Sequence, residues 1–547
     1  MKRITYFINK GFTDVGQAAL IISALGLLTQ LLGFVRDRAL AHVLGPTQLL
    51  DIYYTAFRIP DFLFNSIATL VSVTILLPFL AQHLKDQEDR VNAKKFLSDM
   101  ASFFALLIAI ISVIVFFAMP YIAKIIAPAY SVADTKTLIS ISRIMLLSPV
   151  FLGFSNIFGI VTQYYKQYAL WSCAPLVYNL GIVIGITVLF PQFGLWGLAW
   201  GVVLGAAGHM ALQIPAVKKH RLFPSFQRYS WATIKTVFMQ AIPRTIALSL
   251  NSLVLIWIVA FASKFGVGAV SLFTFALTVQ MVPVSMIGLS FAVASFPHLA
   301  KSHAENAHDN FYNTAHSVTE KIFFWSLPAS VVFFIFRTQI VYILLGSYKF
   351  TYAHAQVTGA ALGIFVLSLA TQGILYVLVR MYYAIGNTKQ PLIVNSISAV
   401  VLVALIYVGY EATLYMPGAV NALTNLFGIS GLPHANMIVL PLAYTLGEYI
   451  NIGLMYISIK KHFPRYTARS IISHGADVIG AGVLLGIVLY GGLHMSYSLV
   501  PSVISAKTEL ARVLVVSLVG GALWATVLVF AKNKHIMPLW QKIRIVR

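Results

Sequence analysis

One cysteine, Cys173, in a chain of 547 residues excludes an internal disulfide and any cysteine-rich metal site. Charge is nearly as scarce. Asp, Glu, Lys and Arg together make up 10% of the residues, where a soluble domain carries about 25%, so the chain cannot be a soluble globular protein. Acid is the scarcer sign, with 16 carboxylates against 38 Lys and Arg. The carboxylates form no D-x-D and no H-E-x-x-H pattern, and their one cluster, Asp86, Glu88 and Asp89, reads as a solvated loop face. A glycine-rich phosphate loop is absent as well. An enzyme, a bound metal and a cofactor are therefore not expected, and any transport has to run on a gradient or on equilibration.

What the chain has is apolar length. Hydrophobic residues make up 59% of it and the mean hydropathy is +0.83, the signature of an all-α polytopic membrane protein. About fourteen segments approach or exceed the roughly 20 residues a helix needs to span a bilayer. They are 15–44, 50–82, 95–124, 137–165, 173–190, 195–216, 232–263, 268–300, 320–345, 353–384, 391–410, 435–459, 470–494 and 508–531. The formal charge of +22 would suit a nucleic-acid partner, but the basic residues sit in short loops between apolar runs, as the positive-inside rule requires. No nucleic acid is expected; membrane lipids are. Lys2, Arg3 and Lys10 precede the first segment, and Lys218, Lys219 and Arg221 follow the sixth. Lys460, Lys461 and Arg465 follow the twelfth. That distribution puts both termini in the cytoplasm. The opening MKRITYFINKGF is basic and amphipathic and has no cleavable signal pattern.

An internal duplication organises the chain. LLPFLAQH at 76–83 resembles SFPHLAKSH at 295–303, and YYKQYALWSCAPLVYN at 164–179 resembles YYAIGNTKQPLIVN at 382–395, aligning Pro175 with Pro391 and Asn179 with Asn395. Equal sidedness makes these parallel repeats. The expected layout is a cytoplasmic amphipathic N-terminus at 1–14, an N-lobe of six spans at 15–220 and a C-lobe of six spans at 221–465. Two extra helices within 466–531 and a basic tail at 532–547 complete it.

The polar content concentrates in Gly33–Asn65. Arg36, Asp37 and Arg38 end the first segment; on a helix, Asp51, Tyr54, Arg58, Asp61, Asn65, Thr69 and Ser72 recur at steps of three or four and share one stripe. A charge facing hydrocarbon costs several kcal/mol, so the stripe is expected to face a cavity. Mutual neutralisation of Arg58 and Asp61, at i and i+3, is the plain alternative. Further charges fall within spans: Arg143, Arg244 just after Pro243, Arg380, Glu448 and Asp477. Arginine outnumbers acid there, which suits an anionic substrate gripped by planar guanidinium forks. Arg143 and Arg380 could equally snorkel to the surface, and Glu448 and Asp477 read as partners for a basic residue. His209, alone in the sixth span, reads as a packed core residue. Pro60, Pro78, Pro149, Pro243, Pro283, Pro297 and Pro328 each permit a kink.

Several stretches together resemble the lipid II flippase family, within the multidrug, oligosaccharidyl-lipid and polysaccharide exporter superfamily. They are LGFVRDRALAHVLG, AFRIPDFL, LLPFLAQH, APLVYN, QIPAVKKH and RMYYAIGNTKQP. The resemblance implies alternating access, in which a lipid-linked disaccharide-pentapeptide enters a cationic cavity from the cytoplasm and leaves on the outer face. Its polyprenyl tail would follow a groove made by the two extra helices. It also implies a bacterial inner membrane and a role in peptidoglycan synthesis, and a monomer is expected. Arg36 matches a cavity arginine of the family and Asp51 its acidic residue on the second helix. Further family arginines fall where this chain has Gln30, Phe64 and Thr278. The substrate-binding candidates are accordingly Arg36, Asp51, Arg58, Asp61, Asn65 and Arg244, with Gln30, Arg143, Thr278 and Arg380 as secondary ones. Two other readings stay open: an exporter of another lipid-linked glycan or of amphipathic drugs, and a non-transporting scaffold for cell-wall enzymes.

Overall fold

The computed structural model describes residues 15–71, 73–82, 84, 90–467, 469–499, 505–531, 533 and 535–537. Among these the chain is helical and has no strand. Each of the fourteen expected segments coincides with a helix or with a helix broken in two. Among the described residues ten helices are long and apolar enough to cross a membrane, or eleven if a pair bent by 45° near Leu367 counts as one. The remaining three segments all carry internal charges: 15–44 with Arg36 to Arg38, 50–82 with Asp51, Arg58 and Asp61, and 232–263 with Lys235 and Arg244. Length and composition therefore do not establish fourteen spans. The expected N-terminus at 1–14, the acidic cluster at 86–89 and most of the tail lie outside the described residues.

The helices divide into two compact units, residues 1–270 and 271–547. In the first unit, α1 (Val15–Val43) turns at Gly45, whose φ of +67° only glycine adopts freely, into α2 (Gln48–Ser66). A 3-10 turn at Ala68–Val71 leads to α3 (Val73–Gln82). There follow α4 (Arg90–Ile126), α5 (Val132–Met145), α6 (Leu147–Tyr164) and α7 (Tyr168–Ile184). A π-helical stretch, Gly185–Leu189, joins α7 to α8 (Phe190–Phe193), and α9 (Leu195–Ala211), α10 (Ile214–Lys219) and α11 (Trp231–Ala262) complete the unit. Residues 231–262, expected to open the second lobe, thus pack within the first unit, against α2 and α4. The loop before α11 is strapped to α4, where buried Asp99 accepts from the Gln227 side chain at 3.0 Å and from the Ser230 backbone N–H at 3.3 Å.

Small residues allow a close helix contact in this unit. Gly181 and Gly185 face Gly201 and Gly205 of α9, at the four-residue spacing that lets membrane helices approach backbone to backbone. A Cβ on Gly201 would collide with the Gly185 Cα. Gly201→Leu is therefore expected to force α7 and α9 apart and to abolish a monodisperse peak in detergent gel filtration, whereas Gly453→Ala, with nothing within 4 Å of its Cβ position, should leave the peak unchanged.

The second unit holds α12 (Ala269–Pro283), a π-helical stretch at Val284–Leu289, α13 (Ser290–Ala304), α14 (His308–Ile335) and α15 (Arg337–Leu345). It continues through α16 (Tyr352–Val366), α17 (Leu369–Ala384), α18 (Lys389–Tyr415), α19 (Pro417–Leu426) and α20 (Val439–His462). The last pair, α21 (Arg469–Leu499) and α22 (Ala506–Phe530), packs on α14 and α15 through Phe324, Phe336, Leu485, Leu489 and Trp524. Pro60, Pro78, Pro297 and Pro328 lie inside helices as expected, while Pro149 sits in the first turn of α6, where a missing N–H costs little.

Candidate functional site

The stripe on α2 is not one continuous helix. The helix ends at Ser66, and there Asn65 donates to Ser252 Oγ at 2.8 Å and Ser249 to Ser66 Oγ at 2.8 Å, which bonds the end of α2 sideways to α11. The Ala68 carbonyl freed by that break accepts from the Asn156 side chain at 3.1 Å, which satisfies it inside the protein as a membrane environment demands. The Thr69 and Ser72 side chains, expected further along the stripe, lie outside the described ones.

Asp51 also departs from expectation. It is 1% exposed, and its carboxylate accepts from the Gly268 backbone N–H at 2.6 Å. Gly268 has a φ of +98°, and a Cβ there would strike the Pro46 carbonyl, so the acid and the glycine together pin the 266–268 turn onto the 45–47 turn. Asp51 is a brace within the first unit rather than a lining group.

Arg36, Arg58 and Asp61 do come together. Arg36 Nε donates to Asp37 Oδ1 at 2.9 Å, the Nη2 of the same guanidinium lies 2.9 Å from that oxygen, and Nη1 donates to Asn179 Oδ1 of α7 at 3.1 Å. Asn179 is itself tied back to the Pro175 carbonyl, one turn earlier on α7, at 3.1 Å. Asp37 is buried while the Arg36 side chain keeps 27% exposure. Asp61 lies within charge reach of both Arg58 and Arg36, and Tyr53, Tyr54 and Tyr178 border the group. Asp61 is exposed although it sits mid-helix.

The cluster therefore holds two guanidiniums and two carboxylates, not the excess of cations that the sequence suggests. A guanidinium carries five N–H donors, and Arg36 spends three of them on Asp37 and Asn179, leaving two for a ligand. Its fork is held in place by two helices before any ligand arrives. An anion reaching Arg58 would share that residue with Asp61.

The other candidates are placed elsewhere. Arg244 lies on α11, but its side chain is outside the described ones. Gln30 is exposed on α1 and Phe64 half-buried on α2. Arg143 donates to the Phe116 carbonyl at 3.0 Å and stacks 4.3 Å from the Phe116 ring, which ties α5 to α4. In the second unit, Thr278 bonds back to Thr274 O and Arg380 to Tyr376 O, each on its own helix. Glu448 neighbours Tyr444 and Tyr376, and Asp477 is exposed without an ion pair among the described residues, so neither has the basic partner expected of it. His209 meets Ser155 Oγ at 2.7 Å in a buried network with Gln213, in keeping with a core role. No cluster of three metal-ligating side chains occurs among the described residues.

Two polar groups of the second unit had not been singled out. Arg337 donates to the Phe334 carbonyl at 2.9 Å and lies over the Phe334 and Phe427 rings. Glu509 and Arg512 form a buried ion pair at 2.5 Å, completed by Tyr497 donating to Glu509 at 2.9 Å and Gln339 to Tyr497 at 3.0 Å. Opposite charges at i and i+3 at the head of an apolar span were the available signal.

A family model described as Lipid II flippase MurJ matches residues 40–506. The chain is 25% identical over 435 residues to the Lipid II flippase MurJ of Burkholderia cenocepacia, covering 76% of this chain and 83% of that one. It is 26% identical over 434 residues to the Probable lipid II flippase MurJ of Bdellovibrio bacteriovorus, covering 76% and 81%. Among solved structures, a lipid II flippase MurJ in an inward closed conformation aligns with a TM-score of 0.73 at 18% identity over 94% of this chain and 99% of that one. An inward-facing multidrug resistance MATE transporter aligns at 0.63, with 15% identity over 82% and 100%. Likenesses at such identity speak for the fold alone.

Proposed function

The chain belongs to the lipid II flippase family, and from that premise we propose that it carries lipid II from the inner to the outer leaflet of the bacterial inner membrane for peptidoglycan synthesis. The Arg36 fork is the one observation that supports this reading best: oriented by Asp37 and Asn179, partly exposed, and with donors to spare. A pyrophosphate diester offers several acceptor oxygens to such a fork, and a preorganised fork loses little freedom on binding. Arg58 then exchanges part of its pairing with Asp61 for the same anion, and Tyr54 and Tyr178 supply the wall of the site. The moving bodies would be the two repeats at 15–220 and 221–465, with both termini cytoplasmic. The helices within 466–531 would guide the lipid tail, and the protein would work as a monomer without cofactor, as a transporter rather than an enzyme. The readings as a drug or neutral-glycan exporter and as a scaffold have no observation that favours them over this one. In a strain depleted of its own lipid II flippase, expression of this chain is expected to restore growth and to prevent lipid II from accumulating on the inner leaflet. Growth rescue without lipid II export, or neither, would overturn the proposal.

A further inference from the structure

A polar cleft of about 700 Å³ in the second unit lies apart from the arginine cluster, formed along the whole of α13 and the first four turns of α14. That size lies within the roughly 300–1,000 Å³ of small-molecule sites. Its lining runs from Asn310 and Asn313 at the hairpin loop, past His298 and Ser317, to Lys321 beside Phe291 at the inner end. The contributors recur at three- and four-residue steps on both helices, so one face of each is given over to the cleft.

These groups are uncommitted. The side chains of His298, Asn310, Asn313, Ser317 and Lys321 have no hydrogen-bond or ion-pair partner among the described residues. Glu320, the acid next to Lys321, instead faces His535 at 3.9 Å, and Lys301 at the rim already has exposed Glu305 at 3.8 Å. Lys321 comes thirteen residues after the start of α14, about 20 Å along its axis at 1.5 Å per residue. Lys321 is exposed and opens the 320–345 segment expected to span, so its ammonium lies at the membrane boundary, the level of lipid headgroups. Cations, amides and hydroxyls ending in an aromatic side chain fit a phosphorylated sugar on a lipid better than free phosphate, which would leave the amides and the apolar end unused.

We propose that this cleft is a reception site for the phosphate-and-sugar headgroup of the transported lipid, separate from the arginine cluster of the first unit. The assignment rests on the flippase reading and on the cytoplasmic placement of the 305–307 loop. A resident anionic phospholipid shares the phosphate but not the sugar, and the test separates the two.

The full-length chain carrying Cys173→Ala and Ser317→Cys, in phosphatidylcholine nanodiscs, is labelled with a maleimide in the presence of lipid II, of phosphatidylglycerol or of neither. Lipid II at roughly ten times its Kd is expected to slow labelling about tenfold. Phosphatidylglycerol should not. Adding Lys321→Gln weakens binding about tenfold and brings protection at the same lipid II concentration down to about half, whereas Lys321→Arg retains it. Absent protection, equal protection by phosphatidylglycerol, or full protection in Lys321→Gln would each overturn the cleft. Because the wild-type chain is tested separately for rescue of the depleted strain, loss of the cleft and loss of the flippase reading are told apart.

Discussion

Arg36→Ala is expected to fail in the flippase-depleted strain at normal expression, while Arg36→Lys rescues in part. The guanidinium bridges Asp37 on its own helix and Asn179 on α7 and holds two donors ready. Losing a charge-assisted bond to a largely desolvated anion costs about 1.5–3 kcal/mol, or roughly ten- to a hundredfold in affinity. Removal has a second consequence here. Asp37 is buried, so without Arg36 its carboxylate loses its counter-charge, and the local packing of α1 on α7 is expected to suffer as well. Asp37→Asn in the Arg36→Ala background separates the two effects: if the damage were only the stranded carboxylate, the double variant would complement, and the ligand role of Arg36 would be lost. Lysine preserves the charge but not the planar fork, and it cannot reach Asp37 and Asn179 together while offering two further donors. Binding of lipid II by purified variants, read alongside growth, checks the affinity ratio. Complementation by Arg36→Ala equal to wild type would sink the anionic-headgroup mechanism for this chain.

The sequence made the membrane class plain because hydropathy is a sum over many residues, and the fourteen segments all fall on helices. Where single side chains decide, it was less informative. Asp51 looked like a lining acid because its spacing from Arg58 and Asp61 is helical; only the fold brings the Gly268 N–H beneath it, 217 positions away. The stripe looked continuous through Thr69 because its polar residues keep helical spacing on both sides of Pro60. At the end of α2 the Asn65 side chain bonds laterally to Ser252, 187 positions away, a contact invisible to any local pattern. Arg36 could be named from its motif, but not the two partners that aim it. The repeat aligned Asn179 with Asn395 without assigning either a task; Asn179 steadies Arg36, while the Asn395 side-chain oxygen is buried with no hydrogen-bond partner among the described residues. Arginine also outnumbered acid among the other charges within spans, yet within the cluster the signs balance, because Asp37 and Asp61 stand against Arg36 and Arg58.

The last two helices hold the largest expected effect on stability. Glu509 is fully buried and Arg512 is 7% exposed, three residues apart in the first turns of α22, with the guanidinium 4.1 Å over the Tyr497 ring of α21. Tyr497 bonds one Glu509 oxygen and receives a bond from Gln339 of α15, so a single buried network joins three helices. Helix geometry favours the acid near the N-terminus of α22, where Ser505 caps the first turn by accepting from Thr508 N–H at 3.2 Å. Removing only the base strands a buried carboxylate, which costs about 3–5 kcal/mol. Arg512→Ala is therefore expected to melt well below wild type in detergent and to lose the monodisperse peak. Replacing both charges, Glu509→Gln with Arg512→Met, removes the stranded charge and should restore most of the melting temperature, because desolvating an ion pair consumes much of what the pair returns. Tyr497→Phe, which deletes one bond and keeps the ring under the guanidinium, should fall between. If Arg512→Ala melts with wild type, the pair carries no structural weight. If it melts early and the double variant melts with it, the loss comes from packing of the long side chain rather than from a stranded charge. Should the network matter as proposed, the early-melting variant is also expected to lose rescue at 37 °C before it does so at lower temperature, since what fails is the attachment of α21 and α22 to α15 and not the arginine cluster of the first unit.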